Sequence, residues 1–103
     1  MGFSLLGDVL THWQQYEGDD SIYVEEGAVL SPESPVSVVP FDPSIKKRVL
    51  PGQRYLLSFE QVEEVITGLE AQLGRKTSVG EKLQAVLHYA VHDAFLDPAK
   101  LRS

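Results

Sequence analysis

Two capping boxes twenty residues apart constrain this chain more than any other feature. Ser58-Phe59-Glu60-Gln61 and Ser78-Val79-Gly80-Glu81 each set a hydroxyl at a helix start, with Gln or Glu three residues on. In such a box the hydroxyl accepts from a first-turn N–H, and the longer side chain reaches back to the N-cap N–H. An apolar stripe follows each box. Val62, Val65, Ile66, Leu69 and Leu73 recur at helical spacing after the first, and Gly74 is placed to end that helix. Val79, Leu83, Val86, Leu87, Ala90, Val91 and Ala94 follow the second, which Pro98 and the polar tail after Asp97 end. The C-terminal half is therefore an amphipathic helical pair whose apolar faces need a partner surface. Gly68, inside the first helix at a cost of about 1 kcal/mol relative to Ala, predicts a close packing contact there.

The first half supplies that surface. Leu6, Val9, Leu10 and Trp13 predict an amphipathic helix from about Ser4 to Tyr16. Glu17-Gly18-Asp19-Asp20 ends it, with Gly18 suited to a left-handed C-terminal position. Three β candidates follow: Ser21–Val24, Val36–Val39 after a Ser/Pro loop, and Arg54–Leu57 after Pro51-Gly52. The expected fold is α+β in the order α-β-β-β-α-α, a small antiparallel sheet of about three strands with helices on one face. Residues 1–103 read as one domain, with a long loop at 41–53 and a flexible tail at 98–103.

Charge is partitioned along this frame. The 103 residues carry a formal net charge of −6 with 15 acidic and 9 basic side chains, and no cysteine. Zero Cys excludes a disulfide scaffold, a thiolate zinc site and a cysteine nucleophile. An acidic balance argues against general nucleic-acid binding, which needs clustered Lys and Arg. Residues 1–45 hold no Lys or Arg against Asp8, Glu17, Asp19, Asp20, Glu25, Glu26, Glu33 and Asp42. Lys46, Lys47, Arg48 and Arg54 then reverse the sign within residues 46–54. No apolar run approaches the roughly 20 residues that span a bilayer, and no basic n-region precedes an apolar stretch. The expected location is the cytoplasm of a bacterium-like cell.

Few constellations announce chemistry. His88 and His92 share one helical face at i, i+4, a geometry that binds zinc, and Asp93 or Glu81 offers a third, oxygen ligand. The zincin pattern is absent, because no Glu follows the first His. Ordinary surface histidines are the commoner reading of such a pair. The acidic pairs Asp19-Asp20, Glu25-Glu26 and Glu63-Glu64 sit in turns or on polar helix faces, where solvation outweighs a catalytic role. No nucleophile elbow, phosphate loop or dinucleotide fingerprint is present. The run Lys46-Lys47-Arg48 lacks interleaved aromatics, and a solvated loop, or one tethered to the protein's own acidic surface, explains it better than phosphate or nucleic-acid binding. Trp13, Tyr16 and Tyr23 surround the acidic turn. They read either as core and core edge, or as an aromatic binding surface whose acidic rim steers a basic partner.

In order, the leading helix, Asp20-Ser21-Ile22-Tyr23-Val24, Ser34-Pro35-Val36-Ser37-Val38-Val39-Pro40, the helix around Val62–Ile66 and Leu83…Tyr89…Asp93-Ala94-Phe95 resemble a known family. It is a small, uncharacterised bacterial domain family found among the immunity proteins that accompany polymorphic toxins. Two features depart from it. The family's central loop is more acidic than Lys46-Lys47-Arg48, and its last helix is Tyr-rich where this chain keeps Tyr89 between His88 and His92. The resemblance implies a binding protein that neutralises a cognate toxin and supplies no catalytic residues. The expectation is a stoichiometric, non-enzymatic inhibitor without cofactor, and charge and hydropathy add no nucleic-acid or membrane partner. The acidic front half then makes Tyr16, Glu17, Asp19, Asp20, Tyr23, Glu25 and Glu26 the expected contacts for a basic toxin surface. The competing expectations are a small metal-binding enzyme or regulator using His88 and His92, and a structural or homodimeric accessory subunit.

Overall fold

Alternation along the strands decides which face of the sheet the helices cover. The computed structural model describes residues 4–40 and 52–101. Its elements are β1 (Ser4–Leu5), α1 (Leu6–Thr11), β2 (Ser21–Glu25), β3 (Pro35–Val39), β4 (Gln53–Ser58), α2 (Phe59–Leu73) and α3 (Val79–His92). Short 3-10 turns occupy Trp13–Gln15 and Pro98–Lys100. The class is α+β. The described strands form one antiparallel sheet in the order β1-β3-β2-β4. Ile22 and Val24 of β2 are fully buried opposite Val38 and Val36 of β3. They join Leu6, Val9 and Leu10 of α1, Phe59, Val62, Val65, Ile66 and Leu69 of α2, and Leu83, Ala85 and Val86 of α3 in one cluster.

A β-bulge adds to this core. Ile22 faces Leu57 but Tyr23 faces Tyr55, so Leu56 is the extra residue on β4. Bulges re-aim side chains. Leu56 and Leu57, consecutive in sequence, are both buried at 5% and 3% exposure, while Tyr55 stays opposite Tyr23 on the other face.

The N-terminus departs from its periodicity. In place of one helix over 4–16, the described residues begin with β1, α1 ends at Thr11, and Trp13 lies in the 3-10 turn. Backbone hydrogen bonds to the loop before β3 explain the difference. Leu6 N donates to Ser34 O and Gly7 N to Pro32 O, each at 2.8 Å. The order is thus β-α-β-β-β-α-α with a fourth strand, and the two residues of β1 are too few to carry a period. Gly7 permits the approach, since a Cβ there would stand 2.9 Å from Pro32 Cβ.

The helical pair matches its capping boxes. Ser58 and Ser78 both close reciprocal boxes, with Gln61 and Glu81. Gly74 takes the left-handed conformation, φ 71°, that ends α2. Helix α3 stops at His92, earlier than Pro98, because Asp93 adopts φ 53° and its N–H returns to Tyr89 O. Its buried seam is narrower than the apolar stripe: Leu83 and Val86 are inside, whereas Val91 is 76% exposed. Beyond it the chain folds back, with Phe95 packed 5.3 Å from Tyr89 and Leu96 and Leu101 against the core. Asp97 caps the 3-10 turn within the tail, accepting from Ala99 N at 3.0 Å.

Gly68 makes no close contact, contrary to the expectation from sequence. A Cβ there would meet nothing within 4 Å, and the residue borders a cavity of about 200 Å³ with Val65, Leu69, Ala85, Phe95 and Leu96. The two glycines therefore give substitutions of opposite sign. Gly68→Ala should raise the unfolding free energy by up to about 1 kcal/mol through helix propensity. Gly7→Ala should lower it by about 1–3 kcal/mol through overpacking against Pro32. Urea denaturation reads both, and destabilisation by Gly68→Ala would show that the glycine has a packing role.

Candidate functional site

The acidic turn Glu17–Asp20 is built into the start of α2. A helix leaves its first four N–H groups without helical acceptors. Here Phe59 N donates to Asp20 O at 2.9 Å and Glu60 N to Gly18 O at 2.8 Å. Gln61 N takes the Ser58 hydroxyl at 3.3 Å. Gly18 does not adopt the left-handed conformation expected of it; the glycines with positive φ among the described residues are Gly27, Gly52 and Gly74. Its place is beside Glu60, whose Cβ would lie 3.7 Å from a Cβ at Gly18. Asp20 closes the turn, with Oδ2 accepting from Glu17 N at 3.3 Å. Tyr16 stacks on the buried Phe59 ring, 4.4 Å between centroids and 14° between planes. Negative charge at a helix N-terminus is favourable because the N–H dipoles point outward there. The turn backbone and the Asp20 carboxylate thus have a role in the fold, and Tyr16 braces it.

The other predicted contacts lie elsewhere. Tyr23, on β2, packs edge-on to Tyr55 of β4, with centroids 5.9 Å apart and planes at 78°. Both stand on the sheet face opposite the buried Ile22–Val24 row, next to Ser37 of β3. Tyr55 is 47% exposed, and its hydroxyl donates to Gln61 Oε1 at 3.1 Å, fixing the ring against the α2 capping box. Glu25 and Glu26 follow at the end of β2, exposed, where Glu26 N donates to Gly52 O and Gly27 turns the chain with φ 81°. Five strand residues at about 3.3 Å each separate Asp20 from Glu25 by about 16 Å. The acids therefore form two groups with the tyrosine pair between them. Trp13 and Tyr16 pack on the core and Tyr23 on the outer face, so the three aromatics do not form one cluster.

No sequence signal marks Tyr55 as a contact. The strand around it was legible, but its position opposite Tyr23 depends on the bulge at Leu56. Lys46, Lys47 and Arg48 lie outside the described residues.

His88 and His92 do come together, with ring centroids 4.5 Å apart. Neither proposed oxygen ligand joins them: among the described residues no group of three or more His, Asp or Glu could hold a metal ion. Glu81 is instead gripped by Arg75, Nη1 to Oε1 at 2.9 Å and Nη2 to Oε2 at 2.8 Å.

That grip belongs to a clasp between α2 and α3. Glu70 Oε2 accepts from Thr77 N at 2.9 Å and from its hydroxyl at 2.8 Å, and Lys82 Nζ donates to Thr77 O at 2.6 Å. Burial raises the Glu70 pKa, but the Thr77 hydrogen bonds and the Lys76 and Lys82 charges outweigh it, and the net shift is downward. The Arg75 hydrogen bonds, aided by Ser78 N–H, bring Glu81 down to about 2. Both carboxyls bind protons less tightly folded than unfolded, so their stabilisation is complete above the ordinary value of 4.5. It is lost as pH falls from there through about 2. Glu81→Gln retains the capping geometry and removes the ion pair. Denaturation midpoints across that window should fall less steeply for Glu81→Gln than for the parent chain, and equal slopes would show that Arg75 does not hold Glu81 in solution.

No described helix is long and apolar enough to cross a membrane. No curated protein and no solved structure matches the chain. A family does. The domain of unknown function DUF7716 matches residues 3–98, from the start of β1 to the tail packed on α2. The chain belongs to the DUF7716 family.

Proposed function

We propose that this chain is an immunity-type binding protein, acting in the cytoplasm, that neutralises a cognate bacterial toxin by stoichiometric binding to a basic surface of that toxin. The observation that carries this reading is the Tyr23–Tyr55 pair on the outer sheet face beside Glu25 and Glu26. Tyrosines offer large contact area with little side-chain entropy to lose, and they anchor interfaces. The Glu25 and Glu26 carboxylates make no hydrogen bond or ion pair among the described residues, so their charge is available to a partner. Opposite charge raises encounter rates above the roughly 10⁵–10⁶ M⁻¹s⁻¹ of neutral surfaces. Toxins that act on nucleic acids present basic clefts, in which carboxylates can take phosphate positions. Glu17, Asp19 and Asp20 extend the acidic field from the far end of β2, and the turn that carries them also serves α2.

That dual role decides how the proposal is tested. Reversing Asp20 would disturb the turn docked on α2, so loss of binding there would be ambiguous. Glu25→Lys/Glu26→Lys touches no core side chain, and Tyr55→Ala is read beside Tyr55→Phe, which removes the Gln61 hydrogen bond and keeps the ring. Immobilised chain exposed to lysate of its own cell should capture a basic protein in proportion of one to one. The Glu double reversal should abolish capture, and Tyr55→Ala should weaken it by about 2 kcal/mol or more if that ring anchors the interface. Glu63→Lys, on the exposed side of α2, serves as the charge control. Capture that survives both changes with circular dichroism unaltered would move the interface off this face.

A further inference from the structure

His88 and His92 stand one helical turn apart at the end of α3, their rings 4.5 Å apart between centroids and tilted by 41°. Beyond that ring contact, neither imidazole has a hydrogen bond or ion pair among the described residues. All four ring nitrogens are therefore available as ligands. His92 is exposed and His88 half-buried, so the pair is reachable from solvent.

Spacing, position and surroundings agree on the ligand. A tetrahedral ion with metal–nitrogen bonds of about 2.0–2.1 Å sets two imidazole nitrogens about 3.3 Å apart. Rings on one helical face at i, i+4, with centroids 4.5 Å apart, are spaced for such a shared ion. His92 lies in the last turn of α3, with His88 one turn before it, and the carbonyls without helical partners at that end carry partial negative charge and favour a cation. No Lys or Arg occurs between Lys82 and Lys100, and α1, which packs against α3, contributes Asp8 and no basic residue. Paired neutral imidazoles suit copper, zinc and nickel, whereas magnesium and calcium require oxygen ligands.

We propose that His88 and His92 form a two-point chelate for a late divalent transition metal of the copper–zinc class, with the remaining coordination positions open to water or an exogenous ligand. Both ligands come from one helix and meet only when that helix is formed. Metal binding therefore favours the folded chain and pins the turn that Asp93 ends. The chelate stands apart from the tyrosine face and does not depend on the proposed partner.

Calorimetric titration of the purified chain with copper(II) sulfate or zinc chloride tests this, with thermal unfolding in the same solutions. The expected result is saturation at one ion per chain, copper held more tightly than zinc, no response to magnesium, and a higher unfolding temperature with bound metal. His88→Ala and His92→Ala should each abolish saturable binding, and His12→Ala should leave it unchanged. Because His92 is exposed, His92→Ala should keep the metal-free unfolding temperature of the parent chain, which separates loss of ligand from loss of fold. Absence of saturable binding, or binding that survives either substitution, would overturn the assignment.

Discussion

The docking of one turn onto one helix end organises this molecule. Helix α2 begins directly after β4, with no residue between them, so its first N–H groups must find acceptors at once. The Glu17–Asp20 turn supplies two through Gly18 O and Asp20 O, and Ser58 supplies a third. Buried backbone donors without acceptors are costly. The turn is thereby held against α2, which sets the start of β2 one residue later. The register of β2 with β3 and β4 then places Ile22 and Val24 over the helices and Tyr23 on the outer face. The Tyr16–Phe59 stack, an interaction of about 0.5–1.5 kcal/mol beyond its burial, reinforces the same junction.

This junction gives the acidic front half two different meanings. The turn is docked on the start of α2 through its backbone carbonyls, and the Asp20 carboxylate closes it. Charges after β2 have no such neighbour among the described residues and follow the Tyr23–Tyr55 pair at the end of the strand. A uniform acidic patch, as suggested by composition, therefore resolves into a stabilising group and a presenting group at opposite ends of one strand. The clasp of Glu70, Thr77 and Lys82 does for the α2–α3 loop what the turn does for the α2 start. Both use oxygen acceptors to hold a helix end that apolar packing alone would leave free to slide.

Much of this was legible before any coordinates. The capping boxes at Ser58 and Ser78 located both long helices, because a box is a local pattern whose physics involves four consecutive residues. The three main strands followed from β-branched runs bounded by Gly and Pro. What escaped was non-local. β1 exists only because Val36 and Pro35 lie opposite Ser4 and Leu5. Leu56 and Leu57 share a face only through a bulge, and Tyr55 joins Tyr23 for the same reason. Gly18 invites a left-handed assignment from sequence, whereas the structure uses its carbonyl as the acceptor for Glu60 N. Of the expected contacts, the exposure of Glu25 and Glu26 could be read from a turn signal. The structural role of Asp20 could not, since its acceptor function is carried by backbone atoms that look alike at every position.

Native-state hydrogen exchange at the Phe59 and Glu60 amides probes the organising junction most directly. If the turn is docked on α2, both amides exchange as slowly as those of Val62 to Ile66, and their opening free energy equals that of the helix interior. Exchange at the rate of an exposed helix start, with the interior of α2 still protected, would contradict the account and detach the acidic turn from the fold.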